Sequence, residues 1–176
     1  MTSAHLHAIP AEPAPSHLRA VPDPDENYRV LLVCSSGGHL AQLVQLSDWW
    51  RTHDRVWACF PTEDARSLLA EERTIWVHYP TTRNVGNLVR NLGLAFRTLR
   101  RERPDVIVST GAGAAVPFFW LGRFLGIRTV YLEVYDRIDS PTLTGRLCRP
   151  VTDLFLVQWE QQTALYRNAV VVGPVY

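Results

Sequence analysis

The chain alternates between short apolar runs and longer amphipathic segments, and few folds accommodate that order. The runs at residues 28–34 and 105–109 are almost continuously apolar, which is typical of strands buried on both faces of a parallel sheet. Because helices must then cross between the strands, we predict an α/β fold with a doubly wound, mainly parallel, Rossmann-like sheet. The predicted strands are residues 28–34, 55–60, 74–78, 105–109, 129–133, 153–157 and 169–172, and the predicted helices are 39–50, 63–71, 84–103 and 114–125.

The first part of the chain differs in composition from the rest. Residues 1–27 are rich in proline and contain no apolar run, so we predict a disordered tail with neither a signal peptide nor a membrane-spanning helix. Residues 28–176 contain all of the predicted strands and have the size of one domain. The expected organisation is therefore a tail followed by a single Rossmann-like domain.

The charges and the cysteines exclude several classes of function. Eighteen basic residues, all of them arginine, stand against 17 acids, and a net charge of +1 gives no general attraction to nucleic acid. Three widely spaced cysteines form neither a disulfide framework nor a zinc motif, so a reducing cytoplasm is the expected compartment. One Asp-x-Asp motif, at residues 23–25, lies in the predicted tail, and we predict no metal site.

Glycine-rich loops follow two of the strongest predicted strands. Ser36, Gly37 and Gly38 open a helix after the first strand, where backbone amides and the helix dipole favour an anion such as phosphate. Gly111 and Gly113 follow the strand at 105–109. The first loop lacks the lysine of a P-loop, and the second lacks the third glycine of the dinucleotide fingerprint. Each loop alone is equally explained by a tight turn, but both lie at the carboxyl edge of one sheet, which favours ligand binding.

Two titratable residues stand beside these loops. His39 lies in the first turn of its helix, and an imidazole with a pKa near ~6.5 serves as a general base at neutral pH. The alternative is a histidine that only donates to the loop or caps it. Glu133 ends an apolar strand, where a carboxylate is able to orient a hydroxyl, act as a base or anchor a neighbouring arginine. The residues themselves leave these alternatives open.

The long predicted helix at residues 84–103 is basic and amphipathic. Arg90, Arg97 and Arg101 share one face, and an apolar side accompanies them. Such a helix is able to lie on an anionic membrane surface. The commoner explanation is that the apolar side packs on the sheet while the arginines face water.

Several of these segments together resemble a known family. They are Gly37-Gly38-His39, the sequence Pro-Asp-Val-Ile-Val-Ser-Thr-Gly at residues 104–111, Val-Tyr-Leu-Glu at 130–133, and the segments 140–145 and 153–159. In their order and spacing the chain resembles the bacterial exopolysaccharide and capsule glycosyltransferase subunits. Those are similar to the membrane-side subunit of the eukaryotic enzyme that adds the second N-acetylglucosamine to dolichol-diphosphate sugar. They also resemble the N-terminal half of the peptidoglycan N-acetylglucosaminyltransferase that forms lipid II.

The resemblance implies the acceptor-binding half of a GT-B glycosyltransferase divided into two chains. This half would bind a lipid-diphosphate-linked acceptor, and a partner chain would bind the UDP-sugar donor, so no resident cofactor or metal is expected. The implied roles are catalysis for His39 and for a cleft-facing Glu133, diphosphate binding for Ser36, Gly37, Gly38, Gly111 and Gly113, and membrane contact for the helix carrying Arg90, Arg97 and Arg101.

The implied reaction is inverting transfer, in which His39 takes the proton of an acceptor hydroxyl as that hydroxyl attacks the anomeric carbon. The setting would be exopolysaccharide, capsule or cell-envelope polysaccharide biosynthesis, peripherally on the inner face of the cell membrane. Two other hypotheses remain: a non-catalytic scaffold that recruits the transferase to the membrane, and a dinucleotide-binding domain. The segment 170–175 resembles the crossing between the two domains of the one-chain enzyme. Apolar surface for a partner is expected at the carboxyl edge of the sheet and near Tyr176.

Overall fold

A computed structural model describes residues 27–81 and 84–175 of the chain. These residues form a seven-stranded sheet in which every neighbouring pair of strands is parallel. The prediction of an α/β, doubly wound, Rossmann-like fold is confirmed. Most of the predicted tail, its Asp-x-Asp motif and Tyr176 lie outside the described residues.

The sheet has the strand order β3-β2-β1-β4-β5-β6-β7. The strands are β1 (Arg29–Val33), β2 (Asp54–Cys59), β3 (Thr74–Trp76), β4 (Val106–Ser109), β5 (Arg128–Leu132), β6 (Leu154–Val157) and β7 (Val170–Val171). The helices are α1 (Gly38–Gln45), α2 (Ser47–Trp50), α3 (Glu63–Leu68), α4 (Val85–Glu102), α5 (Ala115–Phe124) and α6 (Leu143–Cys148), with 3-10 helices at Arg149–Val151 and Glu160–Ala164. The order reverses between β1 and β4, and a sheet of this kind binds ligands outside the carboxyl ends of the two strands at that reversal.

Apolar side chains fill both faces of the sheet. Helices α1, α2 and α3 cover one face, where Trp50 packs edge-on against Trp57 of β2. Helices α4, α5 and α6 cover the other face, where Tyr131 of β5 stacks on Phe155 of β6 with 4.9 Å between the ring centroids. Burial on both sides explains why the central strands are almost continuously apolar.

The structure adds detail that the pattern did not predict. The predicted helix at residues 39–50 is two helices, because the chain turns at Leu46 and the Trp50 indole donates a 2.7 Å hydrogen bond to the carbonyl of Leu43. Helix α6 and both 3-10 helices lie where no helix was predicted. They have only three to six residues each, too few to show a helical period. All three cysteines are free, in keeping with the prediction that they form no disulfide framework, and all three are buried, which was not predicted.

Candidate functional site

Two reciprocal hydrogen bonds join the loops after β1 and β4. Nδ1 of His39 lies 2.8 Å from the carbonyl oxygen of Thr110, and the Thr110 hydroxyl donates to the carbonyl oxygen of His39 over 2.7 Å. Because a carbonyl only accepts, Nδ1 carries the hydrogen in this contact, and the lone pair of the neutral ring is then on Nε2. The half-buried His39 is therefore fixed in orientation and in tautomer at the point where the strand order reverses.

The first glycine loop donates a backbone amide to an aspartate side chain. Gly37 has a φ of 67° and is the N-cap of α1, and neither a side-chain cap nor an acid in the first turn satisfies that helix end. Its amide donates instead to a carboxylate oxygen of Asp64 in α3, over 3.0 Å. The nearby Thr62 hydroxyl and then the Gly37 amide favour the charged form and lower the pKa of Asp64 below its ordinary value. Ser36 is half-buried beside the exposed Gly37 and Gly38, and diphosphate binding by these three residues stays a prediction.

The second loop needs its glycines for close packing. Gly111 has a φ of +114°, and a Cβ placed there would lie 2.8 Å from the Tyr131 hydroxyl and 3.0 Å from Cε1 of His39. A Cβ on Gly113 would lie 2.9 Å from the Thr81 hydroxyl. The amide of Gly111 already donates to the Ser109 hydroxyl at 2.9 Å, so it is not directed at an anion. Diphosphate binding by these two glycines stays a prediction.

The Glu133 side chain points into the interior and does not face a cleft. Its side chain is fully buried, with 0% of its surface exposed. Both carboxylate oxygens accept from the Thr142 hydroxyl, at 3.1 and 3.0 Å, and one also accepts from the hydroxyl of Tyr166. The expected cleft-facing position was wrong because the N-terminus of α6 and Tyr166 close over the carboxylate. Its partners are hydroxyls and the Val134 amide rather than a guanidinium.

Buried glutamines that the sequence reasoning missed connect α1 to the segments that follow β5, β6 and β7. The Gln158 side chain, just after β6, donates to Gln42 of α1 over 2.7 Å and to the carbonyl of Glu133 over 2.9 Å. Its oxygen accepts from the amide of Val175 at 2.7 Å. The available signal was weak: a single polar residue interrupting an apolar run after β6.

Helix α4 buries two amide side chains in its first half and Ala95 and Leu99 in its second, and it leaves a line of apolar side chains exposed. Asn91 bonds both the amide and the carbonyl of His78, and Asn87 donates to the carbonyl of Pro80. The exposed residues, which we call the α4 stripe, are each at least 45% exposed: Val85, Leu88, Val89, Leu92 and Phe96. The helix therefore packs on the sheet with its arginines exposed, as one of the two explanations held. Most of its apolar side nevertheless does not face the sheet, because Asn87 and Asn91 occupy the buried face in the first half of the helix.

The arginines predicted to face the membrane are exposed but lie on another flank of α4. At about 100° per residue, Arg90, Arg97 and Arg101 are centred roughly 145° around the helix from the α4 stripe. Arg100 follows Phe96 at i+4, and its guanidinium lies 5.6 Å from the centre of that ring. Arg100, which was not among the arginines predicted to face the membrane, therefore contacts the stripe.

The described residues provide neither a cluster of metal ligands nor a helix that could span a membrane. Within residues 27–81 and 84–175, no group of three or more His, Cys, Asp or Glu side chains is arranged to hold a metal ion. None of the helices in these ranges has both the length and the apolar character needed to cross a bilayer.

Solved structures with the same arrangement define the class of the fold. MurG of Acinetobacter baumannii has a TM-score of 0.65 at 17% identity, over 84% of this chain and 46% of that one. A glycosyltransferase from Rickettsia africae has a TM-score of 0.62 at 11% identity, over 84% and 43%. The chain thus spans less than half of these proteins. Its fold is a Rossmann-like half of the GT-B glycosyltransferase architecture.

Sequence comparison then gives the family. The family described as "Oligosaccharide biosynthesis protein Alg14 like" matches residues 30–175, and the chain belongs to it. The UDP-N-acetylglucosamine transferase subunit ALG14 of Debaryomyces hansenii is 25% identical over 187 residues, covering 89% of this chain and 80% of that protein. The human subunit is 23% identical over 185 residues, covering 86% and 85%. The resemblance to a glycosyltransferase subunit is confirmed, whereas the bacterial exopolysaccharide setting stays a prediction.

Proposed function

We propose that the chain is the membrane-side subunit of a two-chain UDP-N-acetylglucosamine transferase. In this role it recruits a UDP-sugar-binding partner to the bilayer that carries a lipid-diphosphate-linked acceptor. The observation that carries the proposal is the exposed α4 stripe, together with membership of a family whose relatives are named as transferase subunits. The recruiting role, which was the alternative to catalysis in the sequence reasoning, is now the preferred one.

The α4 stripe supports peripheral attachment to a membrane. Five large apolar side chains along one helix form an exposed surface of a kind that marks interaction sites in soluble proteins. An amphipathic helix of this type lies in the interface plane and gains free energy in proportion to the apolar area it buries. Other residues form the buried face of α4, so the stripe lies outside the contact of this helix with the sheet; they are Asn87, Asn91, Ala95, Thr98 and Leu99.

No contact of Glu133 supports a role for this residue in proton transfer. Glu133 is closed off from solvent by Thr142 and Tyr166, so a role in holding the end of β5 to α6 accounts for it without catalysis. A second candidate function keeps the acceptor site in this chain, with His39 as the base. The observation that favours it is the oriented imidazole beside the Gly37 loop.

The remaining features of the proposal follow from the division into two chains. The partner would supply most of the UDP-sugar site and the stabilisation of the leaving group, and this chain would need no metal or other cofactor. The assembly would lie on the inner face of the cell membrane, and its product would enter exopolysaccharide, capsule or other cell-envelope polysaccharide.

Vesicle flotation of the full chain tests the membrane role. Leu92→Gln and Phe96→Gln shorten the stripe without touching the buried face of α4, and the double variant should lower partitioning at least about 10-fold because it removes two large apolar groups from the lipid contact. Leu68→Gln is the matched control, since Leu68 is 55% exposed on α3 in the opposite helix layer. Equal binding by the double variant and the wild type would contradict recruitment through α4.

Transfer by the chain reconstituted with its partner separates the two candidate functions. Under the recruiting hypothesis, His39→Gln retains the transfer rate when both chains are held on vesicles. A general base contributes roughly 10²- to 10⁴-fold, so a loss of that size with unchanged partner binding would favour the catalytic alternative.

A further inference from the structure

An arginine-lined cavity lies at the amino-terminal edge of the sheet, opposite to His39 and the glycine loops. Its volume is about 680 Å³, and its lining comes from β1, the end of α4, and the segments that begin β4 and β5. Four of the lining residues are arginines, Arg29, Arg100, Arg103 and Arg128, and the lining includes one acid, Asp105. Neither the family nor the proposed function gives this cavity a role.

The single acid neutralises only one of these arginines. Asp105 accepts from the backbone amide of Arg29 at 2.8 Å and lies 3.3 Å from its guanidinium. Burial would raise the pKa of Asp105, but the hydrogen bonds and charge of Arg29, with the charge of Arg128, lower it, so this carboxylate stays ionised at neutral pH. In the described ranges, Arg100, Arg103 and Arg128 form no ion pair within 4 Å, which leaves an excess of positive charge around the cavity.

Arg103 adopts a conformation that costs stability. It is the C-cap of α4 and has φ 47° and ψ 56°, a left-handed conformation usually occupied by glycine at helix ends. By comparison, the positive φ after α5 falls on a glycine, Gly126, at φ +75°, one residue beyond the C-cap Leu125. A side chain kept in a strained conformation is a reason to ask what that side chain does, and here it lines the cavity.

Apolar surface borders the cavity on the side of the α4 stripe. Arg100 continues the line of Leu88, Leu92 and Phe96 at steps of four residues and rests on the Phe96 ring. Leu125 lines the cavity and is 40% exposed, and its neighbour Phe124 is 78% exposed. A basic cavity at the border of an apolar surface is complementary to an amphiphile with an anionic head and apolar tails.

We propose that this cavity binds the phosphodiester head group of an anionic phospholipid while the α4 stripe lies among the acyl chains. Arg100, Arg103 and Arg128 would hold the phosphate oxygens, since guanidinium groups match phosphate in charge and geometry. The inference deepens the proposed function and rests on its membrane contact. It adds that attachment selects anionic lipid, through a site at the sheet edge remote from His39.

Partitioning onto vesicles of phosphatidylcholine, with and without phosphatidylglycerol, tests the site. Arg103→Gly removes one cation and relieves the left-handed strain, so the variant should fold at least as stably as the wild type. It should lose about fivefold in partitioning onto the anionic vesicles, and Arg103→Gly/Arg128→Gln should lose roughly 25-fold. Both variants should bind neutral vesicles as the wild type does. The matched control is Arg51→Gln/Arg66→Gln, which removes two exposed arginines from the opposite helix layer.

Three outcomes would overturn the proposal. An equal loss in the Arg51/Arg66 control would assign the effect to net charge rather than to the cavity. Unchanged binding of Arg103→Gly/Arg128→Gln to anionic vesicles would leave the cavity without a lipid role. Calorimetry with inorganic pyrophosphate tests whether the ligand is a soluble phosphate rather than a lipid. If the double variant loses tight pyrophosphate binding but partitions onto vesicles as the wild type does, the site belongs to a soluble anion. A failure of the proposed function can be distinguished from a failure of the cavity proposal. If the α4 stripe does not contact the membrane, Leu92→Gln/Phe96→Gln would bind neutral vesicles as the wild type does.

Discussion

Gly111→Ala should be among the more costly single-methyl changes in this chain. At a φ of +114° an L-residue is strained, and the left-handed region costs an ordinary residue about 1–2 kcal/mol. The added Cβ would also stand 2.8 Å from the buried Tyr131 hydroxyl and 3.0 Å from the His39 ring, and overpacking of this kind costs about 1–3 kcal/mol. The free energy of unfolding should therefore fall by about 2–5 kcal/mol.

Gly126→Ala is the control for the backbone cost. Gly126 also has a positive φ, +75°, but a Cβ there would meet nothing within 4 Å. This variant should lose only the conformational cost of about 1–2 kcal/mol, measured by urea denaturation under the same conditions. The excess loss in Gly111→Ala then reports the contact with Tyr131 and His39.

The source of that excess is identified by a double-mutant cycle. Tyr131→Phe removes the hydroxyl nearest to the new Cβ, so Gly111→Ala should cost about 1 kcal/mol less in the Tyr131→Phe background than in the wild type. Equal losses for Gly111→Ala and Gly126→Ala, or additivity of Gly111→Ala with Tyr131→Phe, would refute the close approach of the two loops.

Three further predictions concern buried or paired groups. Tyr166→Phe should destabilise the chain by about 1.5–3 kcal/mol, because it removes a hydrogen bond to the buried Glu133 carboxylate; urea denaturation that shows a loss below about 0.5 kcal/mol would contradict this. Burial, with the charge of Glu133, raises the pKa of Cys148 to about 12. Iodoacetamide at pH 8 should therefore label this thiol only as fast as the chain unfolds, and rapid labelling of the native protein would refute its burial. The pKa of Asp105 is lowered in the fold, so its pairing with Arg29 stabilises the chain above the unfolded pKa of about 4 and is lost as the pH falls. Asp105→Asn should therefore cost less than about 1 kcal/mol at pH 7 for this half-exposed pair, and the difference from the wild type should vanish in acid; a difference that grows below pH 4 would contradict the sign.

The sequence pattern predicted the sheet well because its cause is local. Each central strand is buried on both faces, so the apolar runs at β1, β4 and β5 are short, dense and bounded by loops. The meeting of the two glycine loops also followed from topology, since parallel strands bring their carboxyl ends to one edge.

The orientation of α4 was not predictable from its own residues. Its helical period is the same whether the apolar side faces the sheet or the surroundings. The orientation of the first half of the helix is set by Asn91, which bonds the main chain at His78, and by Asn87, which bonds the carbonyl of Pro80. These contacts depend on how the segment after β3 passes the helix, and a period does not encode that path.

The role of Glu133 was decided at long range. Tyr166, which bonds its carboxylate, is 33 residues away in sequence, and Thr142 belongs to a short helix with no sequence signal. An acid at the end of an apolar strand looks the same from the sequence whether it faces a ligand or is covered by a later segment. Only the tertiary structure distinguishes the two.

The buried glutamine pair has a mechanical consequence. Gln42 lies one turn beyond His39 on α1, and Gln158 bonds both Gln42 and the amide of Val175, so two side chains connect the imidazole helix to the segment after β7. The Gln42–Gln158 bond is buried, the bond to Val175 is partly buried, and each hydrogen bond of this kind contributes about 0.5–1.5 kcal/mol. The segment that follows β7 is therefore joined to the helix of His39 through two consecutive side-chain hydrogen bonds, and replacement of Gln158 would break both.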